Sequence, residues 1–354
     1  MSTNTGSIPV TRVEASRRGA IDFDALPFGR IWSDHMFVAS CQDGMWTDGE
    51  LRPYGPLGLR PAARALQYGL SVFEGFKAQK TPDGDVAVFR PESNWRRLNT
   101  SAARLAMPAV PHDLFFDALV ELIDVDRVWM PEPHQGSLYI RPTFFCVDDD
   151  LMVEPGSGFQ FVIMTAPVGP YFGGELGLVT TRRYVRAFPG GTGDIKPCGN
   201  YAGTLLATRE AQEAGYQNVI WLDGIEKRYV EECGVMNVMF VIDGTAVTPP
   251  LEGTILPGIT RDSAIVLLAD LGIPCEERRI SVEELVLSSR DGTLTEAFGL
   301  GTAASVAPIH RLGLDGVDVR LEEFEGSVAD RLKTALLAIQ RGEVEDRHGW
   351  LRRL

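Results

Sequence analysis

Several features are scarce in this chain of 354 residues, and each shortage argues against a class of protein. Basic residues number 34 against 48 acidic ones, and the resulting formal charge of −14 repels phosphate backbones and anionic lipid surfaces. No apolar run is long enough to cross a bilayer, and Met1 to Ala20 has no apolar segment typical of a signal peptide. We therefore expect no nucleic-acid partner, no membrane association and a cytoplasmic location.

Cysteine and histidine are also sparse, with five of each in the whole sequence. The cysteines are odd in number and widely spread, which favours reduced thiols over a disulfide framework. The histidines show no paired ligand spacing, so we expect no metal site. The apolar fraction of 44% and the charged fraction of 23% are close to globular averages, and the length predicts two domains.

The order of predicted elements in the first half indicates mixed α and β structure. A short strand at 85–90 precedes a helix opened by Pro91, and a second helix is predicted from an Asp113 N-cap through Trp129. Two apolar stretches then predict buried strands, at 137–147 and 159–166.

The segment from Pro167 to Gly174 breaks this pattern with turn residues typical of a connection between domains. We therefore predict a first domain at 1–166, an interdomain loop at 167–176 and a second domain at 177–354. Within the second domain the pattern predicts these elements: a helix at 201–214 ended by Gly215, strands at 218–222 and 238–242, a helix capped by Thr260, and a closing amphipathic helix at 327–340.

Lysine is the scarcest charged residue, so each lysine can be considered separately as a candidate for amine chemistry. There are five, Lys77, Lys80, Lys196, Lys227 and Lys333, against 29 arginines. Four have ordinary explanations as polar strand, turn or helix-surface residues. Lys196 lies in a glycine-rich loop, FPGGTGDIKPCGNY, that leads into a helix, where a backbone can approach a ligand closely. An exposed loop lysine would show the same pattern, so composition leaves both interpretations open.

Two turns of small residues are candidate anion sites. The segment LPGITRD at 256–262 leads into an apolar run, so Thr260 would cap a helix whose first amides carry partial positive charge. The segment GLGTAA at 299–304 offers a second turn of this kind. An ordinary turn and an ordinary capped helix would have the same sequences, so neither segment alone indicates a ligand.

Taken together, these segments resemble the branched-chain amino acid aminotransferases, which are fold type IV pyridoxal-phosphate enzymes. The resemblance covers nearly the whole chain and has the family's order and approximate spacing. Its motifs are FGR at 28–30, YGLSVFEG at 68–75, SLYIRP at 137–142, GDIKPCGNY at 193–201, EECGVMN at 231–237, LPGITR at 256–261, GTA at 301–303 and GEVEDRHGW at 342–350. It implies a two-domain α+β fold, with a smaller N-terminal α/β domain and a larger C-terminal pseudo-barrel-like domain.

The resemblance also implies that the cofactor is pyridoxal 5′-phosphate. Lys196 corresponds to the lysine that holds the cofactor as a Schiff base and shuttles the substrate proton. Glu232 corresponds to the carboxylate that keeps the pyridine nitrogen protonated, and Tyr201 to the tyrosine that hydrogen-bonds the phenolic oxygen. The positions that correspond to phosphate ligands are Arg97, Ile259, Thr260 and Thr302.

For the substrates, the resemblance implies transamination between L-leucine, L-isoleucine or L-valine and 2-oxoglutarate. Tyr139 and Arg141 correspond to positions near the α-carboxylate and the second carboxylate of glutamate, and the amides of Thr302 and Ala303 to carboxylate donors. An aromatic side-chain pocket would be formed by Phe28, Tyr68, Phe73 and Tyr171. Such a wall accepts all three amino acids, because a methyl difference is worth only about 1–3 kcal/mol.

Members of this family build each active site at a subunit interface, so the resemblance implies a homodimer with the segment from Tyr68 to Phe76 close to the partner. Two related activities share the fold and cofactor, those of D-amino acid aminotransferase and aminodeoxychorismate lyase, but the aromatic pocket and the SLYIRP segment favour the branched-chain enzyme. A cofactor carrier without turnover would not need Glu232 or Tyr139.

Two departures from the family pattern limit what can be carried over. Mammalian relatives have a Cys-x-x-Cys redox pair just after the threonine turn, but the segment from Ala303 to Ala307 has no cysteine. We therefore expect no such switch. Many members have Gly-Gly before the Asn-Tyr pair, whereas this chain has Cys198 and Gly199.

Overall fold

The computed structural model describes residues 8–169 and 174–354, which form two compact units of similar size. The first unit contains the described residues up to 169 together with Gln340–Leu354, and the second contains those from 174 to Ile339. The closing segment thus groups with the first unit, whereas the sequence pattern assigned it to the second domain. The reason is a long-range strand pairing, in which Leu351–Arg353 adds to the sheet of the first unit.

Most strands are short, and the two longest, β7 and β8, have 10 and 11 residues. The strands of the described residues are β1 (His35–Gln42), β2 (Met45–Trp46), β3 (Glu50–Pro53), β4 (Ser71–Phe73), β5 (Phe76–Lys80), β6 (Val86–Phe89), β7 (Ser137–Cys146), β8 (Gly158–Val168), β9 (Gly177–Thr180), β10 (Asn218–Leu222), β11 (Val230–Cys233), β12 (Asn237–Ile242), β13 (Thr245–Thr248), β14 (Cys275–Glu277), β15 (Leu294–Gly301), β16 (Ser305–Pro308), β17 (Arg311–Leu314), β18 (Val317–Arg320) and β19 (Leu351–Arg353).

The helices vary from one turn to about four turns. Those of the described residues are α1 (Arg64–Tyr68), α2 (Pro91–Arg104), α3 (His112–Val125), α4 (Gly199–Ala202), α5 (Leu205–Glu213), α6 (Ile259–Asp270), α7 (Val282–Arg290) and α8 (Val328–Gln340). None of them is long and apolar enough to cross a membrane.

The first unit is built on one antiparallel sheet with the order β19-β6-β5-β7-β8-β1-β2, in which β3 also pairs with β1 and β4 with β7. Helices α2 and α3 contribute Leu98, Phe115 and Leu122 to the main core on one face of this sheet. Along β7, Leu138 and Ile140 belong to that core. Because strand side chains alternate between faces, Tyr139 and Arg141 project from the opposite face.

The second unit contains two five-stranded sheets, with the orders β11-β10-β9-β17-β18 and β14-β13-β12-β15-β16 in the described residues. Their buried faces share one apolar core that includes Leu178, Ile220, Val238 and Phe240. Strands β11 and β12 belong to different sheets and are joined by the turn at 234–236. Because the turn is short, Glu232 on β11 and Asn237 on β12 are only five residues apart in sequence although they lie in different sheets.

Several local predictions are confirmed, and both ends of α3 differ. Pro91 begins α2, and strand β10 has the predicted bounds. Helix α3 is preceded by Pro111 and ends at Val125, where we predicted an Asp113 cap and an end at Trp129. After α3 the chain forms a short 3₁₀ turn that ends at Trp129. Nε1 of Trp129 donates to the buried carboxylate of Asp34 at 2.8 Å. That contact is tertiary and has no local sequence signal.

The helix predicted at 201–214 is divided into α4 and α5. At the division, the Thr204 hydroxyl donates to the Tyr201 carbonyl at 2.7 Å. A side chain that bonds a nearby carbonyl in this way competes with the regular helical bonds. The break separates the short helix that carries Tyr201 from the longer helix that follows.

Candidate active site

Lys196 and Tyr201 are brought together within the second unit. The glycine-rich loop before α4 is held by Asn200, whose Nδ2 donates to the Thr192 carbonyl at 2.7 Å and whose Oδ1 accepts from the Thr192 hydroxyl at 2.8 Å. The Nζ of Lys196 then lies 2.6 Å from the Tyr201 hydroxyl. The spacing of five residues and the short helix between them therefore pair an amine with a phenol.

Glu232 is a buried carboxylate on β11 and is 4% exposed. Its Oε1 accepts a hydrogen bond from the Leu256 amide at 2.8 Å and lies 3.1 Å from Nη2 of Arg186. Glu232 and Tyr201 line the same pocket of the second unit. The two residues that the resemblance assigns to the ring nitrogen and the phenolic oxygen therefore border one cavity.

A bulge in β11 explains why two consecutive glutamates approach the same loop. The register between β10 and β11 shifts so that Glu231 is an extra residue on its strand, and such bulges redirect side chains. Glu231 consequently accepts a hydrogen bond from the Thr254 hydroxyl, while Glu232 bonds Leu256. Burial raises the pKa of the Glu231 carboxyl above its ordinary value, although the Thr254 hydrogen bond and Arg186 oppose the shift.

The first turn of α6 presents backbone amides without a capping side chain. The residue before the helix is Gly258, whereas we predicted Thr260 as the cap, and Thr260 instead lies inside the first turn. The bond from the Asp262 amide to the Gly258 carbonyl is the first of the helix, so the amides of Ile259 and Thr260 have no acceptor within the helix. This helix end suits an anion.

The second turn of small residues, which contains Thr302, is linked through Asn237 to the segment that precedes α6. Thr302 and Ala303 connect β15 to β16, and Asn237 on β12 pairs in register with Leu300 on β15. The Asn237 side chain also donates to the Leu256 carbonyl at 2.9 Å. Asn237 therefore links the segment that leads into α6 to the strand that leads into the Thr302 turn.

We expect the Gly258→Ala substitution to weaken binding of a phosphate-bearing cofactor by about tenfold or more. A Cβ at this position would overlap Oδ1 of Asn237, and moving that amide costs its bond to Leu256, worth about 1–1.5 kcal/mol. The dissociation constant of pyridoxal 5′-phosphate would be measured by absorbance titration. Gly203→Ala is the matched control, because that glycine has a helical φ of −64° and no atom close to an added Cβ. Equal affinity in the two variants would contradict this account.

In the first unit, four residues assigned to the substrate form one cluster, which we call the aromatic cluster: Phe28, Phe73, Tyr139 and Arg141. The Phe28 and Tyr139 rings meet edge to face at 5.2 Å. The Arg141 guanidinium carbon lies 4.5 Å from the Phe73 ring centroid, and its Nη2 donates to the Tyr139 hydroxyl at 2.8 Å. The cluster therefore combines apolar ring surface with one fixed cation.

The chain matches the family model of class IV amino-transferases over residues 71–312. The chain belongs to the class IV aminotransferase family. It is 43% identical over 335 residues to branched-chain-amino-acid transaminase 1 of Bacillus subtilis, which covers 93% of this chain and 94% of that one. It is 45% identical over 334 residues to a probable branched-chain-amino-acid aminotransferase of Streptomyces coelicolor, which covers 92% of each chain.

Solved structures give the same result for the fold of this class IV aminotransferase. The branched-chain amino acid aminotransferase from Escherichia coli superposes with a TM-score of 0.74 at 31% identity and covers 90% of this chain and 98% of its own. The T.th. branched-chain amino acid aminotransferase, solved in complex with N-(5′-phosphopyridoxyl)-L-glutamate, gives a TM-score of 0.70 at 28% identity over 89% of this chain and 97% of its own. The two-domain fold type IV architecture expected from the sequence is confirmed.

Two residues assigned to the site, Arg97 and Tyr68, bond to other residues of the first unit. Arg97 donates from Nε and Nη2 to the two carboxylate oxygens of buried Glu74, at 2.7 and 2.8 Å. Tyr68 is 48% exposed and donates its hydroxyl to the Leu151 carbonyl, outside the aromatic cluster. Tyr171 lies outside the described residues. A role for Arg97 at the phosphate remains a prediction, and Glu74 fixes the plane of its guanidinium.

Lys77 was not assigned to the site, because the sequence pattern placed it in a polar strand and turn. The structure places it on β5, directly opposite Tyr139 on β7, so the two side chains share one face of the sheet. Burial lowers the pKa of the Lys77 amine from 10.5 to about 8. The sequence feature that could have indicated this position is that Lys77 lies between Phe76 and Ala78, in a strand that directly follows the FEG motif.

We expect Lys77→Met to raise the free energy of unfolding at pH 7 by on the order of 1–3 kcal/mol. The folded-state pKa of about 8 lies below the 10.5 of the free amine, so at pH 7 the folded protein carries a desolvated charge. That cost declines as the pH rises from 8 to 10.5, because the folded state then loses its proton before the unfolded state.

Urea unfolding of wild type and Lys77→Met at pH 7 and pH 10 measures this effect, and the gain should shrink at the higher pH. Lys80→Met is the matched control, since Lys80 lies on the same strand and pairs with Glu132 at a partly exposed position. Surface substitutions usually change stability by within about 0.5 kcal/mol. A Lys77→Met gain that is the same at both pH values would rule out the buried charge as its cause.

Proposed function

We propose that this chain transfers the amino group between L-leucine, L-isoleucine or L-valine and 2-oxoglutarate, giving branched-chain 2-oxo acids and L-glutamate, with pyridoxal 5′-phosphate bound covalently at Lys196. The observation that carries the proposal is the Lys196–Tyr201 pair at 2.6 Å, with Tyr201 and the buried Glu232 lining one pocket. The names of the relatives and the phosphopyridoxyl-glutamate complex of the T.th. enzyme support the same substrates and cofactor.

The residues of the second unit fit this cofactor. When bound, the cofactor would supply a protonated ring that withdraws electrons from the substrate's α-carbon. Glu232 would hold the ring nitrogen, and its burial restricts competing water. The uncapped amides at the start of α6 and the Thr302 turn would bind the phosphate. Lys196 would move the proton of the α-carbon, and the Tyr201 hydroxyl would hold its amine in position.

The aromatic cluster of the first unit fits both kinds of substrate side chain. Phe28 and Phe73 provide apolar surface, on which a branched aliphatic side chain is stabilised by burial. Within the described residues, Nε of Arg141 is buried and has no hydrogen-bond partner. An unsatisfied buried donor is costly unless a ligand accepts its hydrogen bond, and the carboxylate of glutamate or 2-oxoglutarate is such an acceptor.

The test is the half-reaction followed by absorbance. Purified protein should show a cofactor band at about 410–430 nm, which L-leucine alone should bleach and 2-oxoglutarate should restore. D-alanine would bleach the band of a D-amino acid aminotransferase, and release of pyruvate from aminodeoxychorismate would identify the lyase. A band that no amino acid changes would indicate a cofactor carrier without turnover and would overturn the proposal.

We further propose that the protein is a homodimer or a multiple of one. An exposed apolar patch surrounds the bond from Tyr68 to Leu151, and its exposed members are Leu66, Tyr68, Leu151, Met152 and Val153. Exposed apolar side chains grouped on two bonded segments favour association. Light scattering of the active protein should give at least twice the chain mass of 38.8 kDa. An active species of 38.8 kDa itself would disprove the assembly.

The five cysteines are free thiols in the structure, which supports a reducing compartment. We therefore place this aminotransferase in the cytoplasm. Its partners would be small amino acids and 2-oxo acids. The formal charge of −14 disfavours binding to nucleic acid.

A further inference from the structure

Arg186 connects three parts of the second unit that the proposed chemistry uses. Its side chain is 7% exposed, and Nη2 lies 3.1 Å from Oε1 of Glu232. The same nitrogen donates to the carbonyl of Thr254 and, at 3.3 Å, to the carbonyl of Gly193 in the glycine-rich loop that carries Lys196. One guanidinium thus joins the lysine loop, the buried carboxylate and the segment that leads into α6.

The close approach at Gly193 depends on the absence of a side chain. A Cβ at this position would overlap the Thr254 carbonyl and the Ala187 methyl. Arg186 lies next to Ala187 in sequence and bonds both the Gly193 and Thr254 carbonyls. The lysine loop is therefore packed directly on the loop at 254, and Arg186 fastens the two together from one side.

Two carboxylates, those of Glu231 and Glu232, lie close to the charge of Arg186, and they differ in their surroundings. Glu231 accepts from the Thr254 hydroxyl, and its other oxygen is buried without a partner among the described residues. Two neighbouring buried carboxylates are costly to ionise together. Burial raises the pKa of the Glu231 carboxyl, and only Glu232 is in direct contact with the guanidinium. The charge of Arg186 then serves Glu232, which it contacts directly.

We infer that Arg186 is a positioning residue that keeps Glu232 ionised and oriented and ties it to the Lys196 loop through the Gly193 carbonyl. This inference rests on the proposed function, because it is the charge of Glu232 that the ring nitrogen would require. Arg186 acts through Glu232 and the loop, and it is not itself assigned to the substrate or the reacting atoms. Lysine, which keeps the charge but lacks the planar fork of donors, should replace it only in part.

The test is a double-mutant cycle of Arg186→Met and Glu232→Gln, with single-turnover conversion of L-leucine measured in cofactor-saturated protein. Arg186→Met should lower the maximal rate on the order of tenfold or more and change the half-saturating leucine concentration little. In the Glu232→Gln background the same substitution should have little further effect. Arg186→Lys should recover part of the rate, and Glu231→Gln, which leaves the contact between Arg186 and Glu232 in place, should stay within about threefold of wild type.

A second readout uses the protein without cofactor. Urea unfolding across the same cycle should show that the two substitutions are coupled, because the ion pair exists without the ligand. If Arg186→Met does not fold, Arg186→Gln takes its place in the cycle. Additive losses in rate, or an Arg186→Met rate within about twofold of wild type, would overturn the positioning role alone. A wild-type protein that L-leucine does not bleach would overturn the proposed function and this inference with it.

Discussion

Lys196→Ala should yield a folded protein that cannot carry out transamination, with the rate of the L-leucine half-reaction reduced by more than about 10³-fold. The loop that carries the lysine is held by the Asn200 side chain, so truncation of the lysine should leave its backbone in place. The Tyr201 hydroxyl would lose its amine partner at 2.6 Å. Neither the covalent attachment nor the proton transfer then has a suitably placed amine.

Borohydride reduction of the cofactor-loaded wild type, followed by peptide mapping, tests the assignment independently of rate. The label should appear on the peptide that contains Lys196. Lys333→Ala is the matched control, because Lys333 lies on α8 in an ordinary amphipathic helix, and it should retain activity and label. A label on Lys77, Lys80, Lys227 or Lys333 would show that the assignment is wrong.

Glu232→Gln should retain the cofactor but lose turnover on the order of 10²-fold or more, at about 1.4 kcal/mol per tenfold change in rate. The residues assigned to the phosphate and the covalent bond, at the start of α6 and at Lys196, are unchanged by this substitution. A neutral amide can still accept the hydrogen bond of the Leu256 amide, but it does not favour a protonated ring nitrogen. Binding and chemistry should therefore separate, and the loss should fall on kcat.

Single-turnover conversion of L-leucine by the cofactor-saturated variant measures the chemical step without interference from cofactor loss. Glu231→Gln is the matched control, since it changes the adjacent carboxylate on the same bulged strand. A Glu232→Gln rate within about twofold of wild type would mean that Glu232 is not the pyridine partner. Glu231 would then be the next residue to test.

Local sequence patterns predicted much of the fold, but two side-chain contacts, one long-range and one local, accompany differences in two predicted helices. Pro91 fixed the start of α2 because its ring suits the first helical position, and the apolar run at 218–222 formed β10 as predicted. The Trp129 contact with Asp34 and the Thr204 bond to Tyr201 ended or divided predicted helices. Asp34 is distant from Trp129 in sequence, so no local pattern predicts their contact. The Thr204 hydroxyl is close to Tyr201 in sequence, and its bond competes with the regular helical bonds.

The sequence by itself determined the family and the candidate chemistry, because the motif order and the five-residue spacing of Lys196 and Tyr201 are properties of a linear chain. Only the tertiary structure decided that Arg186 joins Glu232 to the lysine loop, that Lys77 lies directly opposite Tyr139, and that the closing residues pair with β6. Local periodicity specifies which face of an element is apolar. It does not specify which distant side chain an ion pair or strand ladder will meet, because those partners are chosen by packing over the whole chain.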